Sequence, residues 1–186
     1  MKVLVVFDHP RRDSFCGAVL DRFVAGLGEA GHVSEIADLR REGFDPRLPP
    51  EDEPDWMGTK VYSPAVLAEQ ARIARNEAVA FVFPIWWWSV PATTKGWIDR
   101  VWNDGWAYGS AKLSLKKGRM IGLSAGSPES YAKRGYDSAM QTQLVTGVLQ
   151  YCGIADAGLA ILHGSLDDDA VRAHLLEEAA ALGRGF

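Results

Sequence analysis

Cysteine is scarce in this 186-residue sequence: Cys16 and Cys152 are the only two. That excludes a disulfide framework, and neither has a partner at the short spacings zinc uses. No apolar run approaches the roughly 18 residues of a membrane-spanning helix. The N-terminal stretch MKVLVVFDHP is interrupted by Asp8 and lacks a small-residue cleavage site, so it reads as a strand and not a signal peptide. Basic charge is not in excess, with Lys+Arg 20 against Asp+Glu 24 and a net charge of −4. A polyanion-binding surface for nucleic acid is therefore not expected. GxGxxG, GxxxxGK[ST] and GxSxG are all absent, which removes the dinucleotide fingerprint, the P-loop and the hydrolase elbow. His9, His32, His163 and His174 are scattered, and only His9 falls in a loop of interest. No internal repeat or low-complexity tract is present. These absences leave a cytoplasmic enzyme or binding protein, with 1–186 expected to form one domain.

What is present is an alternation of strand and helix signals. KVLVVF (2–7), HVSEIADL (32–39), AVAFVF (78–83), RMIGLS (119–124) and AGLAILH (157–163) read as strands. Between and after them, helices are expected over 14–30, 62–76, 90–102, 136–152 and 167–183. The first is marked by Phe15, Val19, Phe23 and Leu27, and the fourth by Met140, Leu144, Val148 and Cys152. Residues 40–58 hold four prolines and no periodicity, the pattern of a long functional loop. The expected fold is α/β: a doubly wound five-stranded parallel sheet with helices on both faces, taken in the common doubly wound order 2-1-3-4-5.

Such sheets bind ligands at the carboxyl ends of their strands, near the point where strand order reverses. The loops after strands one, three and four are the unusual ones here: DHPRRDSFCG, PIWWWSVP and SAGSPESY. The first feeds a helix N-terminus with Ser14 as its cap, a place for phosphate; Ser14 as a plain cap with solvated Arg11 and Arg12 is the bland alternative. The second places Trp86, Trp87 and Trp88 between two prolines, and six of the seven tryptophans fall between 86 and 106. Aromatic density of that kind marks a ligand or partner site, against the alternative of a core edge or subunit contact. The third, Ser124-Ala125-Gly126-Ser127-Pro128, is small enough for backbone amides to approach a ring and stabilise charge on it, with an ordinary strand-to-loop turn as the bland alternative. No nucleophile–base pair accompanies them. The set suits a redox cofactor that brings its own chemistry.

FPIWWWSVPATTKGWIDRVW (83–102) resembles the FP-aromatic-x-VPA-x-x-KGW-x-[DE]-RV segment of the flavodoxin-like NAD(P)H:quinone oxidoreductases. That family includes the bacterial ancillary oxidoreductases of potassium efflux. His9-Pro10, Ser14-Phe15, residues 105–109 (GWAYG), 151–153 (YCG) and SPAVLAEQ (63–70) are similar to it as well. The resemblance implies a flavin, FAD ahead of FMN, with NAD(P)H as electron donor. By it, His9, Ser14, Phe15 and Cys16 would face the phosphates and ribityl chain. Pro84, Ile85, Trp86, Trp87 and Trp88 would lie along the isoalloxazine, and Ser124, Ala125, Gly126 and Ser127 would address its N1/O2 side. Tyr131 would serve as a catalytic tyrosine beside the flavin. Tyr108, also catalytic, and Trp106 would line a substrate cavity across a homodimer interface.

The implied reaction is two-electron reduction of a quinone or other flat aromatic acceptor, by ping-pong hydride transfer through flavin N5. The alternatives are an azo- or nitro-reductase on the same fold, a flavin-binding regulatory subunit attached peripherally to a potassium efflux transporter, and a pure electron carrier. Arg11, Arg12 and Lys112 could favour NADPH over NADH. Two departures stand out: Cys16 replaces a frequent asparagine, and GYD (135–137) stands where the mammalian-type enzymes carry a relay histidine. Tyr136 or Asp137 is the available substitute.

Overall fold

The computed structural model describes residues 1–55 and 60–186. Five parallel strands form one sheet in the order β2-β1-β3-β4-β5. In chain order they are β1 (Lys2–Phe7), β2 (Val33–Asp38), β3 (Ala78–Pro84), β4 (Lys117–Ser124) and β5 (Asp156–His163). The helices are α1 (Phe15–Glu29), α2 (Pro64–Ala74), α3 (Ala92–Val101), α4 (Pro128–Arg134), α5 (Tyr136–Met140) and α6 (Asp169–Arg184). The expected strand order is the observed one.

Alternation along the central strands explains why they read as unbroken apolar runs. Val3, Val5 and Phe7 of β1, with Ala78, Ala80 and Val82 of β3, pack on one face with Phe23 of α1 and Leu175 of α6. Leu4, Val6, Val79, Phe81 and Phe83 point to the other face, toward Trp97, Met140 and Leu144. Both faces are thus covered, which is what a parallel sheet requires. Each fully buried Phe or Leu contributes about 1.5–3 kcal/mol relative to exposure.

The tryptophan-rich segment divides sharply. Trp97 and Trp102 belong to this core, with Trp97 edge-on to Phe81 at 5.9 Å and its Nε1 donating to Glu69 at 2.9 Å. Trp106 is half-buried against the same cluster. Tryptophan density between 86 and 106 therefore overstated the ligand site. Half of that density is packing, because Trp97 and Trp102 fall on the buried stripe of α3 and its exit and Trp106 packs on the core beyond it.

Two helical regions differ from expectation. The segment 136–152 is not one α-helix: α5 ends at Met140, and residues Gln141–Gln150 continue as a π-helix. Its buried positions, Met140, then Leu144 and Val145, then Leu149, step by four or five, which suits the wider turn. The helix α4 was not expected, because Tyr131 is its only buried residue and no stripe marks it. Its signals are terminal: Ser127 Oγ accepts from Ser130 N at 3.3 Å, Pro128 opens the first turn, and Gly135 closes it at φ +69°.

The irregular segment is fastened by a buried ion pair. Asp52 Oδ2 lies 2.7 Å from Arg100 Nη2 and accepts from Ser63 Oγ at 2.9 Å. Burial alone would raise the Asp52 carboxyl; Arg100 and Ser63 outweigh it and hold the group below the usual carboxylate range. A short 3₁₀ turn, Pro50–Asp52, lies in this segment, and residues 56–58 of the expected loop lie outside the described residues. Among the described residues no helix is long and apolar enough to cross a membrane, and no cluster of three metal-ligating side chains exists.

Candidate functional site

Strand register gathers the three loops at one end of the sheet. Phe7 is level with Val82, Pro84 with Leu123, and Ser124 with His163, so each chain leaves its strand at a similar height. Ile85 N then donates to Leu123 O at 2.8 Å, and Ser165 N to Ser124 O at 2.9 Å. Two cavities open there and share Ile85 and Ala125. One, of about 290 Å³, is lined by His9, Ser14, Phe15, Cys16, Pro84 and Trp86 among others. The other, of about 540 Å³, is walled by Trp87, Trp88, Tyr131 and Tyr136 around Ser124 and Gly126.

The smaller cavity ends on the N-terminus of α1. Ser14 Oγ accepts from Gly17 N at 3.2 Å, so the cap is real, and the Phe15 and Cys16 amides precede the first helical bonds. No acidic residue occupies the first turn, so the helix supplies no charge of its own against its positive end. His9 Nδ1 sits 2.8 Å from Arg11 O and 3.0 Å from Arg11 N, which locks the ring within the loop. Arg12 turns away: it donates to Gly17 O at 3.2 Å and pairs with Asp21. Lys112 is likewise engaged, donating to Tyr151 O at 2.7 Å. Of the three cations that could favour a phosphate, only Arg11 lines this cavity.

Cys16 presents a small apolar wall. Burial first, then the nearby Asp8 charge, push its thiol up to about 12, so it stays protonated and is no nucleophile. Next to it, Gly17 has no room for a side chain, since a Cβ would stand 1.9 Å from Arg12 O. Gly17→Ala must displace the 11–14 turn from α1. It is expected to lower stability by about 2 kcal/mol and to weaken ligand binding at this end, read by urea unfolding and a binding titration.

The turn between the cavities is strained. Trp86 and Ser89 exchange backbone hydrogen bonds at 3.3 and 3.2 Å, and the residues between them, Trp87 and Trp88, lie at φ +53° and +54°. Two positive φ values mark a type I′ turn, a place for Asn-Gly and not for two bulky side chains. The turn leaves the Trp87 and Trp88 amides outside its own hydrogen-bonded pair. Trp88 stacks on Tyr136 at 4.1 Å and 28°, and Trp87 is 87 % exposed.

Opposite the turn, Ser124 Oγ accepts from Gly126 N at 2.9 Å and shapes the 124–126 loop. Gly126 O is 2.9 Å from His163 Nδ1, and since a carbonyl only accepts, Nδ1 carries the proton. His163 also meets Tyr131 edge-on at 4.8 Å. Sequence reading left this histidine among the scattered ones; the β4–β5 register, unreadable from spacing, delivers it to the site. Ser127 serves as the α4 cap and lines neither cavity. Of the two candidate substitutes for a relay group, Tyr136 lines the larger cavity, whereas Asp137 accepts from Ser138 N at 2.7 Å and does not.

Trp106 and Tyr108 line neither cavity in the chain. Both pack on the core from the loop after α3, with Tyr108 tilted against Tyr151 at 5.7 Å. Burial, then the Asp104 charge, raise the Tyr108 hydroxyl above its ordinary value.

Behind all three loops lies Asp8, fully buried at the end of β1. Its Oδ2 accepts from Thr94 N at 2.8 Å and Thr94 Oγ1 at 2.9 Å, and its Oδ1 from Arg40 Nε at 2.9 Å. One carboxylate thus ties the first loop to α3, which follows the tryptophan turn.

The family model for the flavodoxin-like fold matches residues 1–184. The uncharacterized NAD(P)H oxidoreductase YcaK of Escherichia coli (strain K12) is 37% identical over 176 residues, 93% of this chain and 89% of that protein. The ribosyldihydronicotinamide dehydrogenase [quinone] of Rattus norvegicus is 29% identical over 177 residues, 82% of this chain and 77% of that protein. Among solved structures, the NAD(P)H:quinone oxidoreductase from Methanothermobacter marburgensis superposes with a TM-score of 0.89 at 32% identity, covering 100% of this chain and 96% of that one.

Proposed function

The chain belongs to the flavodoxin-like fold family and stands among its NAD(P)H oxidoreductases, and from that premise we propose a flavin-dependent enzyme that reduces quinones or similar flat acceptors. The observation that carries the reading is the strained Trp87-Trp88 turn facing the Ser124–Gly126 loop, with a helix N-terminus whose first turn holds no acid at one end. The donor set fits a flavin. Its phosphate would meet the Phe15 and Cys16 amides, Ser14 and His9, and its ring would lie between the turn and the 124–126 loop. When bound, a flavin, FAD or FMN, supplies the two-electron chemistry by accepting hydride at N5 and reducing the acceptor.

The chain's own residues supply orientation and dryness. Trp88 and Tyr136 hold a flat ligand parallel to their stack, and NAD(P)H and acceptor would take turns in that slot, a ping-pong order. The small loop lets the Gly126 region approach where negative charge develops, with preorganised backbone dipoles as the stabilising agent. His163 fixes the Gly126 carbonyl from behind. Trp106 and Tyr108, which face away from this groove, would complete the slot of a second copy, making the active form a homodimer.

The test is an absorbance spectrum of the purified protein, followed by anaerobic NADPH or NADH and then benzoquinone. A yellow protein that bleaches and recovers meets the expectation. A protein that takes up neither FAD nor FMN ends the assignment. One that holds flavin but bleaches only with dithionite is an electron carrier.

A further inference from the structure

We propose that Arg134 gives the aromatic slot a preference for flat ligands that carry an anionic group. The inference rests on the reading of that slot as the substrate site and extends it to the ligand's charge. Among the residues lining the 540 Å³ cavity, Arg134 is the one with a charge. The remaining walls are Trp87, Trp88, Tyr131 and Tyr136 with Ile85 and small residues between them, so no acid there counters a guanidinium.

Arg134 shares with Arg11 and Arg41 the lack of an ion pair among the described residues, and of those three it alone lines this cavity. Arg12, Arg72, Arg75, Arg100 and Arg119 each hold a carboxylate, and no described carboxylate pairs with Arg134. Its Nη1 donates to Ser130 Oγ at 2.9 Å and Ser130 O at 3.4 Å, both one turn back on α4. These contacts orient the head and leave Nε and Nη2 unspent. A place in the last turn of α4 would by itself suit any cation at the negative helix end. Lys133 already meets that role, yet it does not line the cavity.

A guanidinium at the rim of an aromatic slot recognises an acid on a planar ring through paired, charge-assisted hydrogen bonds. Two ligands of the proposed reaction can bring such an acid. The acceptor can carry a carboxylate or sulfonate on its ring. The nicotinamide donor carries its pyrophosphate beyond the ribose. The shared chemistry is a flat ring with an anion at its edge.

The experiment uses flavin-loaded wild type and the Arg134→Gln and Arg134→Glu variants. Calorimetric titration with anthraquinone-2-sulfonate and with its neutral sulfonamide measures the first source. Steady-state kcat/KM with NADH and with dihydronicotinamide riboside, which lacks the pyrophosphate, measures the second. Arg134→Gln is expected to weaken the anionic member of at least one pair about tenfold and leave its neutral partner unchanged, the loss of one charge-assisted contact. Arg134→Glu extends that loss. The pair affected identifies the source. Equal shifts for anionic and neutral ligands in both arms, or no shift in either, overturn the proposal. Failure of the underlying reading shows earlier and differently, as a protein that takes up no flavin at all.

Discussion

Asp8→Ala is expected to cost about 3–5 kcal/mol of stability, the range seen when one partner of a buried polar cluster is removed. The asymmetry between its partners sets the size. Arg40 keeps 39% of its side chain exposed and can turn to water once the carboxylate is gone. Thr94 cannot: it is 1% exposed, and both its N–H and its hydroxyl would be left buried without an acceptor. Asp8→Asn keeps one oxygen for Thr94 and loses the Arg40 pairing, so its cost falls in between. The same change loosens the site, since α3 no longer anchors to the loop that carries His9. Flavin affinity should drop together with the urea midpoint. A loss below about 1 kcal/mol in Asp8→Ala would mean the Thr94 donors find another acceptor, and the anchoring role would be gone.

Asp8 also shows what was legible in the sequence and what was not. Strand identity followed from apolar runs at regular spacing, because β1, β3 and the middle of β4 are covered on both faces, whereas the order came with the doubly wound pattern that the motifs resemble. The site loops followed from the same logic, since the loops after β1, β3 and β4 converge wherever a doubly wound sheet reverses its order. What could not be read was anything set by register between distant strands. His163 reaches the Gly126 carbonyl because it pairs level with Ser124, and no spacing in the chain encodes that match. Asp8 looked like the end of a strand, and its bonds to Arg40 and Thr94, 32 and 86 residues away, are invisible locally.

Composition misled in one place. Six tryptophans within 21 residues of sequence suggested one surface, yet Trp97 and Trp102 fill the core while Trp86, Trp87 and Trp88 open to solvent. The difference lies in backbone, not residue type: the former sit on a helix and its exit, the latter in a turn. The helix α4 was missed for the opposite reason. It has capping signals but no apolar stripe, and periodicity detects only the latter.

Replacing Trp87 by glycine is expected to move stability and binding in opposite directions. At φ +53° a bulky L-residue pays about 1–2 kcal/mol that glycine does not. Glycine's extra freedom in the unfolded chain returns about 0.5–1 kcal/mol of that, leaving a net gain near 1 kcal/mol for the apo protein. Little packing is lost, since Trp87 is 87 % exposed and meets only the edge of Trp88, at 5.9 Å. Trp88→Gly relieves the same strain but loses the stack on Tyr136, worth about 0.5–1.5 kcal/mol, together with the burial of a ring only 38% exposed, so this variant is expected to be less stable than wild type. Binding tells the rest. If the turn is held in a costly shape to present two rings to a flat ligand, the double glycine variant should weaken a neutral anthraquinone about a hundredfold, roughly 1.4 kcal/mol per ring. Urea unfolding of the apo protein and calorimetry of the loaded one read the two effects separately. A double variant that binds as wild type does would show that the rings face a partner protein and not a ligand. A Trp87→Gly variant that is less stable than wild type would show that the left-handed turn is not a source of strain.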